Sequence, residues 1–309
     1  MSIHSFQAPG AVVMIRPHRF HPNPETAHDN GFQSLPGGRG DAEVAAAAHA
    51  EVTAAAARLE QAGVDVHLFE DHGERDTPDS VFPNNWFSTH SGGHVALYPM
   101  YSPNRRRERR GDVIEMLKAR YRVQDVIDYS GLEPDGLFLE GTGAMVLDHI
   151  DRVAYTARSN RASEVMLERF CTHFNFEPLV FSTAGEGGQP TYHTNVMMCI
   201  ATQFAMAGFD LITDPARRAE VRRRLEESGR SVIALSGQQI ASFAGNAIEL
   251  TGKQGRVLAL SSRAAESLTR EQRKVIEKFA QLLPLPVPTI ELAGGSVRCM
   301  LAGIHLGKR

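Results

Sequence analysis

Apolar and polar positions along the chain repeat one pattern five times. Two short apolar runs flank a turn, a helical stretch follows, and a third apolar run closes the unit. The first copy opens with an apolar run at 11–15 and passes into a polar segment, 17–40, rich in His, Pro, Asn and Gly. Such a length exceeds a simple connection and reads as a lid or binding loop. A helix is expected over 41–62, stopped by Gly63, with a strand at 64–69. In the second copy, runs at 85–89 and 95–99 around Gly92-Gly93 predict a hairpin, then a helix over 109–119 and a strand at 123–129. The third copy predicts strands at 143–147 and 152–156, a helix over 162–174 and a strand at 178–182. The fourth pairs 195–200 with 204–207, followed by a helix over 215–227 and a strand at 231–235. Asp214 is its expected N-cap and Pro215 its first helical residue. The fifth pairs 246–250 with 256–260, then predicts a helix over 270–282 and a strand at 287–292. A final apolar strand, 297–306, supplies the partner that the first copy lacks.

A period of about 50 residues implies a closed array in which each unit buries its face on its neighbours. No linker or shift in composition interrupts the repeat, so residues 1–309 are expected to form one domain.

Composition narrows the functional classes. Hydrophobic residues make up 42% and charged residues 22%, the balance of a globular chain with a sizeable core. A formal charge of −3 gives no basic footprint for nucleic acid. The run from Arg105 to Arg110 is local and reads mainly as the solvated first turn of a helix. Cys171, Cys199 and Cys299 are far apart and odd in number, which argues for a reducing, cytoplasmic compartment and against a disulfide framework. Neither CxxC nor HExxH occurs, so no zinc site or other cofactor is expected. The first residues lack the pattern of a secretory leader, and no apolar run is long enough to span a bilayer. A homodimer is left open.

Candidate chemistry gathers at one phase of the repeat. Cys299 opens the last strand behind Gly294-Gly295, where a partly exposed thiol could act as a nucleophile. Steps of 53 residues lead back from Cys299 to Asn246, to His193 and to Glu140, and a further 61 to Asp79. Each of these residues alone has an ordinary explanation as a turn former, a cap or a core histidine. In a closed ring, equivalent positions converge near one axis and form a site. Two carboxylates match a planar N–H donor group, a thiolate can add to its central carbon, and a histidine can protonate the departing nitrogen and then deprotonate water. The set describes hydrolysis of a C–N bond through an S-linked intermediate. It suits a protease less well, because two carboxylates beside a thiolate would repel it unless a cationic substrate compensated them.

Three motifs carry a resemblance: Leu139-Glu140-Gly141-Thr142-Gly143, Tyr192-His193-Thr194-Asn195 and Gly294-Gly295-Ser296-Val297-Arg298-Cys299. They resemble the guanidino-group modifying, or amidinotransferase, superfamily. Its fold is the pentein, a five-bladed α/β propeller of ββαβ units with pseudo-fivefold symmetry. Asn23-Pro24-Glu25-Thr26-Ala27 and Phe82-Pro83-Asn84-Asn85-Trp86 are most similar to its citrulline-utilisation branch, whose members convert citrulline to ornithine, ammonia and carbon dioxide. The resemblance implies that Cys299 is the nucleophile, that His193 is the general acid and base, and that Glu140 and Asp79 hold the substrate nitrogens. It implies that Arg161 clamps the substrate α-carboxylate, with Arg106 as a second clamp, and that Asn246 lies among the substrate-binding positions. Arginine deiminases carry an aspartate two residues after the histidine. This chain has Asn195, which favours a neutral ureido group over a guanidinium. The implied activity is citrulline hydrolysis without a cofactor. The alternatives are arginine deiminase, dimethylarginine dimethylaminohydrolase or amidinotransferase activity, or a catalytically silent small-molecule binding protein of the same fold.

Overall fold

The computed structural model describes residues 5–185 and 188–309. Among them, strands form five three-stranded sheets built to one plan. The middle strand of each sheet pairs antiparallel with the first and parallel with the third. Parallel neighbours need a crossover, and a helix supplies each one. Phe87–His90, His94–Leu97 and Asp125–Asp128 make the second unit, with helix Gly111–Arg120. Met145–Asp148, Val153–Ala157 and Glu177–Phe181 make the third, with helix Glu164–Phe174. Met198–Ile200, Phe204–Ala207 and Ser231–Ala234 make the fourth, around helix Pro215–Glu227. Its N-cap is Asp214, whose side chain accepts from the Ala216 and Arg217 N–H groups. Ile248–Gly252, Gly255–Ser261 and Gln281–Leu285 make the fifth, with helix Arg270–Glu277.

The first unit joins both ends of the chain. Ala11–Pro17 runs parallel to Asp65–Asp71 across helix Asp41–Gln61, and the late strand Ala302–Gly303 pairs antiparallel with it, Val12 opposite Gly303. The five units close into an α/β propeller. The first strands of units two to four are buried along their whole length, whereas Asp125–Asp128 has no buried residue. First strands therefore line the axis and third strands form the rim. Apolar faces of neighbouring blades fill the space between, as where Val146 and Tyr155 of the third blade pack with Met198 and Phe204 of the fourth.

Three expectations change. The segment 297–306 is a strand only at Ala302–Gly303; Val297–Met300 is a turn of helix. The Ser296 carbonyl accepts from the Cys299 and Met300 N–H groups, and Asn246 Oδ1 accepts from the Arg298 and Cys299 N–H groups, so those donors are not free for a ladder. Similar turns, Pro83–Asn85, Gly141–Ala144 and Thr194–Val196, precede the first strands of units two to four and delay their starts. In the fifth unit the helix stops at Glu277 and the strand is Gln281–Leu285, not 287–292. Leu282, Leu283 and Leu285 are the true apolar run, and Pro286 and Pro288 lack the N–H that would extend a ladder. Short helices Gly237–Ala241 and Ser262–Ser267, capped by Ser236 and Ser261, had no expected counterpart.

Candidate active site

The turns that precede the axial strands carry the polar cluster. Glu140 and His193 each stand five residues before their strands, Met145–Asp148 and Met198–Ile200. The equivalent position before Phe87–His90 is Phe82, so Asp79 enters from further upstream; that offset and a longer second unit together give the longer step between Asp79 and Glu140.

Cys299 is buried, not partly exposed, with 2% of its surface accessible. Asn246 Nδ2 lies 3.2 Å from its Sγ and Asn195 Nδ2 lies 3.4 Å away. Asn246 is held in turn by the Asn195 carbonyl and by the N–H groups of Arg298 and Cys299. Of the two glycines before the cysteine, only Gly294 takes positive φ, +79°. A Cβ on it would meet the Asn30 side chain, and one on Gly295 would meet the Phe82 ring at 2.8 Å. Both glycines admit protein neighbours over the site.

His193 Nε2 is 2.7 Å from Glu140 Oε2. Burial pushes the imidazole down to about 4 against the pull of Glu140. The ring is therefore neutral near pH 7, with Nε2–H donated to the carboxylate. Burial also disfavours charge on Glu140, but Arg161, the His193 hydrogen bond and Arg105 outweigh it and hold Glu140 well below the usual carboxylate range. Burial raises Asp79, opposed by Arg105 and by a 2.8 Å hydrogen bond from Asn23. Arg105 spans the carboxylates: it is 3.6 Å from Asp79, 3.4 Å from Glu140 and 2.9 Å from Glu108.

The segment 17–40 lies across this cluster. Asn23 reaches Asp79, Asn30 donates to the Ala293 carbonyl at 3.0 Å, and Asp29 takes Arg161 through two oxygens at 2.5 and 3.2 Å. The Arg161 guanidinium also stacks over Tyr192, 4.8 Å from the ring centre, and approaches Glu140 at 3.5 Å. A cavity of only about 10 Å³ remains among Asp79, Asn85, Arg105, Arg161, His193 and Cys299.

Cys299, His193, Glu140, Asp79, Asn195, Asn246 and Arg161 thus come together. Arg106 does not. Its guanidinium bonds the Met100 and Tyr101 carbonyls, outside the cavity. The run is a 3₁₀ turn, Pro103–Glu108, and that turn points Arg105 inward and Arg106 outward. Nor is the run simply solvated, for Arg109 pairs with Glu133 and Arg110 with Asp112. Nothing in the sequence singles out Arg105 except its three-residue spacing to Glu108. Asn85, Asp29 and Asn30 are further residues at the site. Asn85 accepts from Arg105 through Oδ1, while its buried Nδ2 has no partner among the described residues.

The family model for N,N dimethylarginine dimethylhydrolase, eukaryotic, matches residues 16–306. The chain belongs to this family. It is accordingly a hydrolase acting on C–N bonds of the guanidino type. No curated protein matches it by sequence. Several solved structures share its pentein fold. The N-terminal domain of ArgZ, an arginine dihydrolase from the ornithine–ammonia cycle in cyanobacteria, superposes bound to substrate with a TM-score of 0.71 at 15% identity, covering 96% of this chain and 98% of that one. Unliganded AgrE gives 0.73 at 17% identity over 97% of this chain, which spans 40% of AgrE. A dimethylarginine dimethylaminohydrolase variant caught as an adduct with S-methyl-L-thiocitrulline gives 0.63 at 14% identity, covering 96% and 99%. At these identities the likeness establishes the fold. No described helix is long and apolar enough to cross a membrane.

Proposed function

We propose that the protein hydrolyses citrulline to ornithine, ammonia and carbon dioxide through a covalent adduct on Cys299. The observation that carries this reading is charge balance around the sulfur. Glu140 and Asp79 already face Arg105, and Glu140 also faces Arg161. The groups left free to meet a substrate head include the unpartnered amide of Asn85. A neutral ureido group supplies the carbonyl acceptor that such a donor wants, whereas a guanidinium supplies only N–H donors.

In this mechanism Cys299 Sγ adds to the ureido carbon, and the bond from that carbon to one nitrogen breaks. The thiol proton passes to His193 as sulfur adds, Glu140 stabilises the imidazolium so formed, and His193 then gives that proton to the departing nitrogen. Water then attacks the thiocarbamate, its proton passes to His193, and the C–S bond breaks to return the thiolate. The carbamic acid released divides into an amine and carbon dioxide. Asn195 and Asn246 hold the sulfur, and Asp79 accepts from substrate N–H groups. The substrate α-carboxylate takes Arg161 in place of Asp29, so entry of substrate moves segment 17–40, which acts as a lid. Three unpaired, buried cysteines fit a reducing, cytoplasmic setting.

Hydrolysis of a methylated arginine is the second reading, favoured by the family description. Incubating the purified protein with citrulline, arginine, methylarginines and agmatine, with product analysis by mass spectrometry, separates the two. Ornithine from citrulline as the dominant product supports the first; citrulline accumulating from a methylarginine supports the second.

A further inference from the structure

We propose that His18, His49 and Glu70, with His72 beside them, bind a divalent transition-metal ion of the zinc type, at a site separate from the catalytic cluster. No short-range motif announces it, because its ligands are brought together only by the first blade. His18 follows the strand Ala11–Pro17, His49 lies on the helix Asp41–Gln61, and Glu70 lies on the strand Asp65–Asp71. One donor atom from each of these three residues falls within 4.8 Å of the other two. His18 Nε2 is 2.8 Å from Glu70 Oε2, and the His18 ring centre is 4.8 Å from that of His49 and 4.6 Å from that of His72.

Zinc bonds of about 2.0–2.1 Å in a tetrahedron place donors roughly 3.4 Å apart. The gap closes by rotation of side chains that are exposed or half-buried. Imidazoles with one carboxylate select zinc, copper, nickel or cobalt over magnesium or calcium. Arg16 pairs with Glu70 through both oxygens and competes with the ion.

The position gives the site a consequence. His18 is the first residue beyond its strand and opens segment 17–40; His49 stands on the helix that begins where the segment ends. An ion held between them fastens both ends of the segment whose Asn23 and Asp29 reach Asp79 and Arg161. Metal binding would therefore slow opening of that segment.

The test uses the Cys299→Ser protein, so that zinc cannot report on the catalytic thiol. Isothermal titration with zinc should give one ion per chain, and His18→Ala or His49→Ala should weaken binding by about tenfold or more. Limited proteolysis within 17–40 should slow on adding zinc and should not respond in His49→Ala. Both single variants should keep the melting temperature of the metal-free protein. Binding weaker than about 1 mM, or unchanged by both substitutions, overturns the site. Tight, histidine-dependent binding that leaves proteolysis of 17–40 unaltered overturns the restraint on the segment.

Discussion

Gly143→Ala tests whether the cluster works through its geometry. The glycine lies in the turn Gly141–Ala144, between two side chains of the site. A Cβ there would stand 2.1 Å from Asn85 Nδ2, 2.8 Å from His193 Nδ1 and 2.9 Å from His193 Cε1. None of these distances is tolerable, so both side chains must retreat, the amide by more than about 1 Å. All three atoms belong to side chains, so the backbone need not move, and overpacking of this kind costs about 1–3 kcal/mol of stability. Misplacing a reacting group by about 1 Å costs on the order of 100-fold in rate. We therefore expect kcat/KM to fall by about two orders of magnitude while the protein melts only a few degrees lower. Ammonia release gives the rate, and thermal melting with circular dichroism verifies the fold. Gly131→Ala is the control, since a Cβ there meets nothing within 4 Å. If Gly143→Ala keeps activity within about threefold of the parent, the placement of His193 and Asn85 is not what drives turnover.

Other perturbations follow from the same structure. Cys299→Ser should abolish turnover with the fold intact, whereas Cys171→Ser and Cys199→Ser should retain most of it. Burial pushes both of those thiols up to about 12, which leaves them unreactive, and equal losses in all three variants would contradict the assignment. His193 and His305 should titrate well below ordinary histidines: burial lowers both from 6.5 to about 4, so at these two positions the unfolded chain binds more protons between those values. These two groups alone lower stability as pH drops through that window, by up to about 3 kcal/mol each; Glu108, pushed up to about 8 by burial, and the raised Asp79 oppose this, and the lowered Glu140 adds to it. Imidazole resonances of His193 and His305 that titrate near the ordinary histidine value of about 6.5 in a pH series by NMR would refute the neutral, buried histidines. Asn195→Asp should shift preference from citrulline toward arginine, because an aspartate adds attraction for a cation at the expense of an amide donor. An unchanged ratio of the two kcat/KM values would mean that residue 195 does not discriminate.

The repeat was legible because each blade restates one pattern of burial, and the helix Pro215–Glu227 matches its expectation through Asp214 and Pro215. Turns before the axial strands were not legible, since Asn246 and the Ser296 carbonyl draw residues 298–300 into a turn that apolar content alone reads as strand. The convergence of Glu140, His193, Asn246 and Cys299 followed from a step of 53 residues, which needs only a ring. Arg105 and Asp29 escaped for a different reason. One is an arginine among arginines, and the other sits in an irregular segment whose path over the site depends on contacts with Asp79, Arg161 and Ala293. Exposure of the thiol was misjudged because Asn195 and Asn246, distant in sequence, close on its sulfur and bury it.

The most direct measurement is an acid-quenched mass spectrum of the protein during turnover of citrulline labelled at its ureido carbon. The account predicts the labelled carbon on the peptide that contains Cys299, appearing within one turnover, lost on longer incubation and absent from Cys299→Ser. Steady conversion of citrulline with no label on Cys299 at any time, or persisting in Cys299→Ser, would contradict it.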